Sequence, residues 1–213
     1  MILFDLDGTL TDSAPGIIAC IEYALDGFGI ERPADDVMRT FLGPPLYDTF
    51  GGHFGMSPDD VERAVALYRE RYHDVGMFEN EVYDGIPELL TDLGAVAPMA
   101  VATSKPTWSA TRILQHFDLD RHFDVIGGSE LDGTRIHKHE VVAYSMGEMR
   151  ARGVTSAPVM VGDRSHDVLG AAVHDVPCVG VLWGYGSREE LDGAGAAYIA
   201  SDVPALRAYL LAR

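Results

Sequence analysis

The sequence predicts an α/β protein in which a doubly wound parallel sheet carries an inserted all-helical domain. Short apolar runs recur along the 213 residues, and helical patterns separate most of them. The runs are continuously apolar rather than alternating, which is typical of parallel strands that helices cover on both faces. A stretch of about 70 residues between the first two runs contains no convincing strand, and this stretch indicates the insertion.

Six apolar runs predict the strands, and each is bounded by Pro, Gly or Asp. The runs are residues 2–6, 98–103, 123–127, 158–162, 177–182 and 196–200. Helical patterns between the later runs cover residues 107–116, 138–152 and 165–174. This alternation of strand and helix predicts one parallel sheet.

The interval from residue 13 to residue 82 contains helical patterns alone, at residues 15–29, 34–42 and 57–76, with Pro or Gly at their edges. An interval of this length is too long for a crossover loop in a compact domain. We therefore predict an α/β domain of residues 1–13 and 83–213 and an inserted helical domain of residues 14–82.

Composition excludes several classes of protein. Hydrophobic residues make up 47% of the chain and charged residues 23%, which is ordinary for a globular protein and excludes intrinsic disorder. The formal net charge of −17 argues against nucleic acid polymers and anionic membranes as partners, because both need a basic face.

The sequence also predicts no membrane or export segment. No window holds the roughly 20 unbroken apolar residues of a membrane span, and the first five residues reach an acid without a basic region, unlike a signal peptide. Cys20 and Cys178 form neither a disulfide framework nor a zinc set. We expect two packed thiols in a cytoplasmic protein.

Lysine is rare in this chain. Of the 16 basic residues only Lys105 and Lys138 are lysines, and the others are arginines. Lysine offers a compact point charge on a flexible stem, whereas arginine offers a planar fork. Composition alone leaves open whether the two lysines are functional or a chance feature of an arginine-rich chain.

Two acids follow the first predicted strand. Asp5 and Asp7 flank Leu6, so both carboxylates project the same way if strand geometry persists to Asp7. Like charges a few ångströms apart resist joint ionisation, so the pair requires a proton or a bound cation. A solvated Asp-Gly turn is the alternative.

A second acidic pair follows the strand predicted at residues 158–162. Asp163 ends that strand and Asp167 comes four residues later, where helix capping is the alternative role. Ligands of parallel sheets bind outside the carboxyl ends of the strands, so we expect Asp5, Thr103 and Asp163 to converge. Carboxylates without His or Cys suit a hard cation, most plausibly Mg²⁺.

Phosphate-binding groups are predicted near the same edge. Thr103 and Ser104 precede a predicted helix and offer hydroxyls, free backbone N–H groups and a favourable helix dipole. Lys138 begins another predicted helix. Capping explains Thr103 and Ser104 equally well, and solvent exposure is the ordinary role of a lysine.

Together these segments resemble the four motifs of the haloacid dehalogenase superfamily, in order along the chain. They are residues 5–12 (DLDGTLTD), residues 103–106 (TSKP), Lys138, and residues 162–167 (GDRSHD). The helical insert is similar to the cap of the subfamily that contains phosphoglycolate phosphatases, and residues 41–46 (FLGPPL) resemble its specificity loop. Many relatives have Pro after the third-motif lysine, where this chain has His139. Lys138 nevertheless matches that motif better than Lys105.

The resemblance implies a Rossmann-like core with a helical cap, and an aspartyl-phosphate mechanism. Asp5 is then the nucleophile, and Asp7 protonates the leaving alkoxide and later deprotonates the attacking water. Mg²⁺ is held by Asp5, the Asp7 backbone carbonyl and Asp163, with support from Asp167. The phosphate is bound by Thr103, Ser104 and Lys138. The cap closes over the sheet edge and excludes water.

The resemblance also implies a small phosphorylated metabolite as substrate, with a phosphoglycolate-like acid as the first expectation. A nucleoside 5′-monophosphate is the main alternative, and a sugar-phosphate mutase would use the same chemistry. The candidate specificity residues are Gly43, Pro44, Pro45, Leu46 and Arg71, the last of which also suits a solvated helix position. The enzyme is expected to be a monomer or a homodimer.

Two readings from other classes are weaker. Phospho-accepting receiver domains also carry an acid cluster, a Thr or Ser and a Lys at strand ends, but they have about 120 residues and no helical insert. A catalytically silent binding protein is disfavoured because none of the expected acids is missing. The loop at residues 183–186, after the fifth predicted strand, is expected to pack rather than to stack on a substrate.

Overall fold

The computed structural model describes residues 1–43, 46–130 and 132–213. It divides the chain into two compact units. The first, the α/β unit, consists of Met1–Asp12 and Val82–Arg213, and the second, the helical unit, consists of Ser13–Glu81.

The α/β unit is built on a six-stranded sheet in which every neighbouring pair is parallel. Its order is β5-β4-β1-β6-β7-β8, so the chain winds outward in both directions from the first strand. Each of the six predicted runs overlaps one of these strands, β4 and β5 extending beyond their runs, and the predicted fold class is confirmed. The strands in chain order are β1 (Ile2–Phe4), β2 (Thr11–Asp12), β3 (Glu81–Val82), β4 (Met99–Pro106), β5 (Val125–Ser129), β6 (Val159–Gly162), β7 (Cys178–Val181) and β8 (Tyr198–Ala200).

Strands β2 and β3 form a separate two-stranded sheet. Strand β3 corrects the prediction that residues 13–82 contain no strand. Each of these strands has only two residues and Glu81 is exposed, so the sequence shows no apolar run there.

Helices of both units follow the periodic segments of the sequence. Helix α5 has the predicted bounds, and α6 and α7 end slightly earlier than predicted. Helices α4, α8 and α9, of seven to nine residues, were not predicted. The helices are α1 (Ala14–Asp26), α2 (Asp35–Arg39), α3 (Pro58–Asp74), α4 (Ile86–Gly94), α5 (Thr107–His116), α6 (Lys138–Ala151), α7 (Ser165–Ala172), α8 (Arg188–Ala194) and α9 (Val203–Leu211).

The core of the α/β unit forms on both faces of the sheet. All three residues of β1 are at most 5% exposed, as expected for a central parallel strand. Leu3 and Met160 pack in one cluster with Val142 of α6 and Val168 of α7. The central strand is therefore held rigidly, and so is the loop that follows it.

The helical unit has its own packing and its own ion pair. The two terminal guanidinium nitrogens of Arg71, on α3, each contact one carboxylate oxygen of Glu79, at 2.5 and 2.9 Å. Gly16 of α1 lies so close to Gly76 that an added Cβ would stand 2.0 Å from the Gly76 carbonyl oxygen. Close backbone packing and a bidentate ion pair thus fix the end of this unit.

Within the part of the chain that the structure describes, no helix combines the length and the apolar character that a membrane span requires.

Candidate active site

Three neighbouring strands end at one edge of the sheet, and an acidic cluster lies there. The carboxylates of Asp5, Asp163 and Asp167 offer oxygens that all lie within 4.8 Å of one another. These residues are 9%, 0% and 1% exposed. Asp5 follows β1, Asp163 follows β6, and Asp167 lies in the first turn of α7. The parallel sheet thus brings Asp5 to two acids that are 158 and 162 positions away in the chain.

Two glycines make this convergence possible. Gly8 has φ +79°, and a Cβ there would lie 2.3 Å from Oδ2 of Asp163. A Cβ on Gly162 would lie 2.2 Å from Cγ of Asp167. Any side chain at either position would displace a carboxylate of the cluster, and Gly8 also tolerates a conformation that other residues adopt at a cost.

The loop after β1 is tightly hydrogen-bonded. The backbone N–H groups of Thr9, Leu10 and Thr11 all donate to the Leu6 carbonyl, at 3.2, 2.9 and 3.1 Å. The Thr9 hydroxyl donates to Oδ1 of Asp163 at 3.3 Å. This loop fixes the backbone on both sides of Asp7, whose carboxylate lies outside the cluster.

Lys138 contributes the positive charge of the cluster. Its Nζ lies 2.6 Å from Oδ1 of Asp167 and 3.0 Å from Oδ1 of Asp5, and its side chain is only 7% exposed. The contacts with Asp5 and Asp167 are ion pairs. The same Nζ also donates a hydrogen bond to the Ala102 carbonyl at 3.1 Å. One ammonium group therefore contacts two of the three buried carboxylates, those of Asp5 and Asp167.

The excess of negative charge changes the acidity of the cluster. Burial raises the pKa of Asp5 to about 6, against the opposing effect of the Lys138 ammonium. Burial, and then the charges of Asp167 and Asp5, raise the pKa of Asp163 to about 8. Burial by itself would lower the pKa of Lys138, but the same carboxylates raise it above its ordinary value. The cluster is therefore short of positive charge, and Lys138 keeps its own.

The cluster has the donors that a hard divalent cation needs. All its ligand atoms are carboxylate oxygens, and the buried Oδ1 atoms of Asp5 and Asp167 both lie beside the Lys138 ammonium group. Among the described residues, Asp5, Asp163 and Asp167 form a group of metal-ligating side chains whose oxygens lie close enough together to share one ion. Oxygen donors of this kind fit Mg²⁺ rather than a thiolate- or imidazole-seeking metal.

The predicted phosphate-binding residues lie at the same edge of the sheet. Thr103 is 1% exposed, and its hydroxyl hydrogen-bonds to Asp5 and lowers the pKa of that carboxyl. Ser104 is exposed beside it. Lys105, which was not assigned a role from the sequence, contacts both carboxylate oxygens of Asp7, at 2.6 and 2.9 Å.

The candidate specificity residues belong to the helical unit. Gly43 is exposed with φ +101°, and Leu46 is half-buried. Pro44 and Pro45 lie outside the described residues. Arg71 is engaged by Glu79 through both of its terminal nitrogens, so its guanidinium is already bound within this unit.

Three contacts position the site, and of these only the packing of the loop at residues 183–186 was expected from the sequence. In the loop after β7, the Tyr185 N–H donates to Oδ2 of Asp163 at 2.7 Å, and the Trp183 ring N–H donates to the Thr9 carbonyl at 3.0 Å. This loop packs against the site, and the Trp-Gly-Tyr-Gly pattern at residues 183–186 is the sequence feature that indicates the packing.

The second contact involves Glu190 of α8, and the third involves Gly170 of α7. One Glu190 oxygen accepts hydrogen bonds from Arg164 Nε and from the N–H and hydroxyl of Ser165, at 2.8–2.9 Å, and so holds the turn after Asp163. No sequence signal marks this contact. A Cβ on Gly170 would lie 2.5 Å from Cγ of Lys138, and a glycine inside a helix was the signal for that close approach.

Known proteins resemble this chain over nearly its whole length. A family profile described as haloacid dehalogenase-like hydrolase matches residues 2–181. A 5′-nucleotidase from Pseudomonas aeruginosa is 44% identical over 211 residues, which cover 98% of this chain and 94% of that protein.

Two further similarities are informative. The tyrosine-protein kinase PtkA from Mycobacterium tuberculosis is 43% identical over 193 residues, which cover 90% of this chain but only 65% of that longer protein. The solved structure of a haloacid dehalogenase-like family hydrolase from Streptococcus pneumoniae superposes with a TM-score of 0.89 at 30% identity, covering 98% of this chain and 96% of that one.

Proposed function

The chain belongs to the haloacid dehalogenase-like hydrolase family, and from this premise we propose that it is a Mg²⁺-dependent phosphatase of small soluble phosphate monoesters that works through an aspartyl-phosphate on Asp5. The observation that carries the proposal is the buried cluster of Asp5, Asp163 and Asp167 around one lysine. Its surplus of negative charge suits a metal ion, and Asp5 is the member of the cluster with the most exposed side chain.

The proposed metal ligands are Asp5, the backbone carbonyl of Asp7, and Asp163, with Asp167 in support. When bound, Mg²⁺ would neutralise charge on the phosphate and orient it. Lys138 then has two tasks. It keeps the Asp5 and Asp167 carboxylates in place, and it offers positive charge to the phosphate that approaches them.

The proposed reaction has two displacements, each balanced in atoms and protons. First, a carboxylate oxygen of Asp5 bonds to phosphorus, the ester P–O bond breaks, and Asp7 gives its proton to the departing alkoxide. Second, Asp7 takes a proton from water, whose oxygen bonds to phosphorus and releases the Asp5 carboxylate and inorganic phosphate. Thr103, which touches Asp5, and the N–H groups around Ser104 would bind phosphate oxygens. Most of the acceleration then comes from positioning and charge neutralisation.

The helical unit is proposed to act as the cap of this site. Support comes from its insertion directly after the first motif and from the likeness of residues 41–46 to a specificity loop. Gly43, Pro44, Pro45 and Leu46 would then contact the leaving group. Exclusion of bulk water by such a cap would protect the aspartyl-phosphate until the second displacement.

The similarity to the 5′-nucleotidase changes the order of the expected substrates. That relative is 44% identical and matches nearly end to end, which favours nucleoside 5′-monophosphates over the phosphoglycolate-like acids that were the first expectation. A sugar-phosphate mutase remains the alternative within the same chemistry.

A substrate panel tests the proposal. The purified protein is assayed for release of inorganic phosphate from nucleoside 5′-monophosphates, phosphoglycolate and hexose monophosphates, with Mg²⁺ and with EDTA. We expect Mg²⁺-dependent release, fastest from a nucleotide. Isomerisation of a hexose phosphate without phosphate release would indicate a mutase, and transfer of phosphate from ATP to a tyrosine peptide would indicate a kinase. Full activity in EDTA would contradict the proposed mechanism.

A further inference from the structure

The two lysines of the chain have related environments. Every other basic residue is an arginine, yet Lys105 and Lys138 do not lie on the surface, since their side chains are 6% and 7% exposed. Lys138 pairs with Asp5, and Lys105 pairs with Asp7. Asp5 and Asp7, the first two aspartates of the first motif, therefore each have their own buried lysine.

An irregularity in β4 places Lys105. Ala102 of β4 pairs with Gly127 of β5, but the next pair joins Pro106 to Ser129, so four steps along β4 lie opposite two along β5. A bulge of this kind redirects side chains at the end of a strand. The Lys105 N–H donates to the Thr103 hydroxyl at 3.2 Å, which closes the bulge on itself.

The contact between Lys105 and Asp7 determines the direction of a carboxylate. Nζ of Lys105 lies 2.6 and 2.9 Å from the two carboxylate oxygens, and the residues are 98 positions apart in the chain. A compact ammonium group can cap both oxygens of one carboxylate, and a charge-assisted contact of this kind is short and strong. The Asp7 side chain keeps 24% exposure, so one face of it stays open.

We propose that Lys105 is a positioning residue for Asp7, holding its carboxylate in the direction from which a proton passes to the leaving group and from water. The inference rests on the proposed function, because Asp7 transfers protons only in that reaction. Lys105 itself neither gains nor loses a proton. Arginine would serve less well here, because its planar fork is larger than the nearly closed space around Lys105.

A leaving-group comparison tests this role. In single-turnover experiments with enzyme in excess, Lys105→Met and wild type are compared on a nucleoside 5′-monophosphate and on p-nitrophenyl phosphate. A nucleoside alkoxide needs a proton in order to leave, whereas p-nitrophenolate leaves without one. We expect the first displacement to slow roughly tenfold or more for the nucleotide, within the range of general acid catalysis, and much less for p-nitrophenyl phosphate, with KM nearly unchanged.

A double-mutant cycle identifies the partner. If Lys105 acts through Asp7, the double variant Lys105→Met/Asp7→Asn is no slower than Asp7→Asn alone. Equal losses on both substrates, or losses that multiply in the double variant, would overturn the inference and indicate general structural damage or direct phosphate binding.

Two controls keep the test interpretable. Arg207→Met removes an ion pair of the same unit, the 2.6 Å contact of Arg207 with Asp92, and should leave both rates unchanged. If Lys105→Met does not fold, as judged by circular dichroism and thermal unfolding, Lys105→Arg misplaces the charge in the same site and is expected to show the same selective loss.

The inference and the proposed function fail in different ways. If wild type releases no phosphate, or Asp5→Asn keeps its activity, the proposed function fails. If wild type is active, Asp5→Asn is inactive and Lys105→Met or its Arg counterpart equals wild type, then only the role of Lys105 is refuted.

Discussion

The carboxylate cluster of the α/β unit and the Arg71–Glu79 pair of the helical unit show two ways of arranging opposite charges, one buried and one partly exposed. In the helical unit one guanidinium meets one carboxylate through two contacts. In the cluster three carboxylates lie together, and the one ammonium group of Lys138 contacts two of them, Asp5 and Asp167. The pair is balanced and the cluster is not.

The acidities of the two regions differ in direction for this reason. Hydrogen bonds from Arg71 lower the pKa of Glu79, so folding favours its charged form. Burial raises the pKa values of Asp5 and Asp163, so folding favours their protonated forms. A balanced pair stabilises the fold without help, whereas the cluster is costly until a proton or a cation joins it. Variants of the cluster should therefore change activity, metal response and pH dependence, whereas variants of the pair should change stability alone.

Asp5→Asn should abolish turnover, with a loss of kcat beyond about 10⁴-fold, as expected when a nucleophile is removed. The fold should persist, because the amide is the same size and the cluster loses surplus negative charge. Phosphate release and thermal unfolding measure the two effects. Asp92→Asn, at an aspartate in a surface ion pair, is the matched control and should keep full activity. Ready turnover by Asp5→Asn would rule out the aspartyl-phosphate route.

The metal-free protein should lose stability as pH rises from about 4 to about 8. The folded state holds protons on Asp5 and Asp163 up to about pH 6 and 8, whereas the unfolded chain releases them near pH 4. The unfolded state therefore binds fewer protons in this window, and the free energy of unfolding falls as pH increases, by on the order of a few kcal/mol. Urea unfolding in EDTA at a series of pH values measures this free energy. A free energy of unfolding that does not change with pH would contradict a surplus of buried negative charge.

Asp163→Asn should stabilise the metal-free protein at pH 8 while it removes activity. The variant loses one buried carboxylate, so the melting temperature in EDTA should rise by roughly a few degrees. The free energy of unfolding should also depend less steeply on pH. In wild type, Mg²⁺ should raise the melting temperature by mass action, and in the variant this response should shrink. An undiminished response to Mg²⁺ would show that Asp163 is not a ligand.

Arg71→Met should have the smallest effect, a loss of about 1 kcal/mol in the free energy of unfolding, since the pair is partly exposed. The response to Mg²⁺, the pH profile and kcat/KM should stay as in wild type. Parallel kinetics and urea unfolding measure this. A tenfold rise in KM at unchanged stability would instead return Arg71 to the role of substrate binding.

The strands of the α/β unit could be predicted because a buried parallel strand must be apolar on both faces, as the run at residues 158–162 is. The strand at Glu81–Val82 could not be predicted, because two residues are too few to show an alternating or apolar pattern. The gathering of Asp5, Thr103 and Asp163 at one edge followed from their positions after strands. The hydrogen bonds of Glu190 to the turn after Asp163 did not, because nothing local at Glu190 points to that turn.

The order of apolar runs and acids along the chain determined the sheet, the insertion and the edge at which the carboxylates meet, because strand direction and burial are properties of short segments. Which lysine pairs with which aspartate depends on the tertiary structure alone. Lys105 reaches Asp7 through the bulge in β4, and Lys138 reaches Asp5 past Gly170. Such contacts depend on how distant segments stack, and a side chain can select its partner only when that stacking has brought the two within reach.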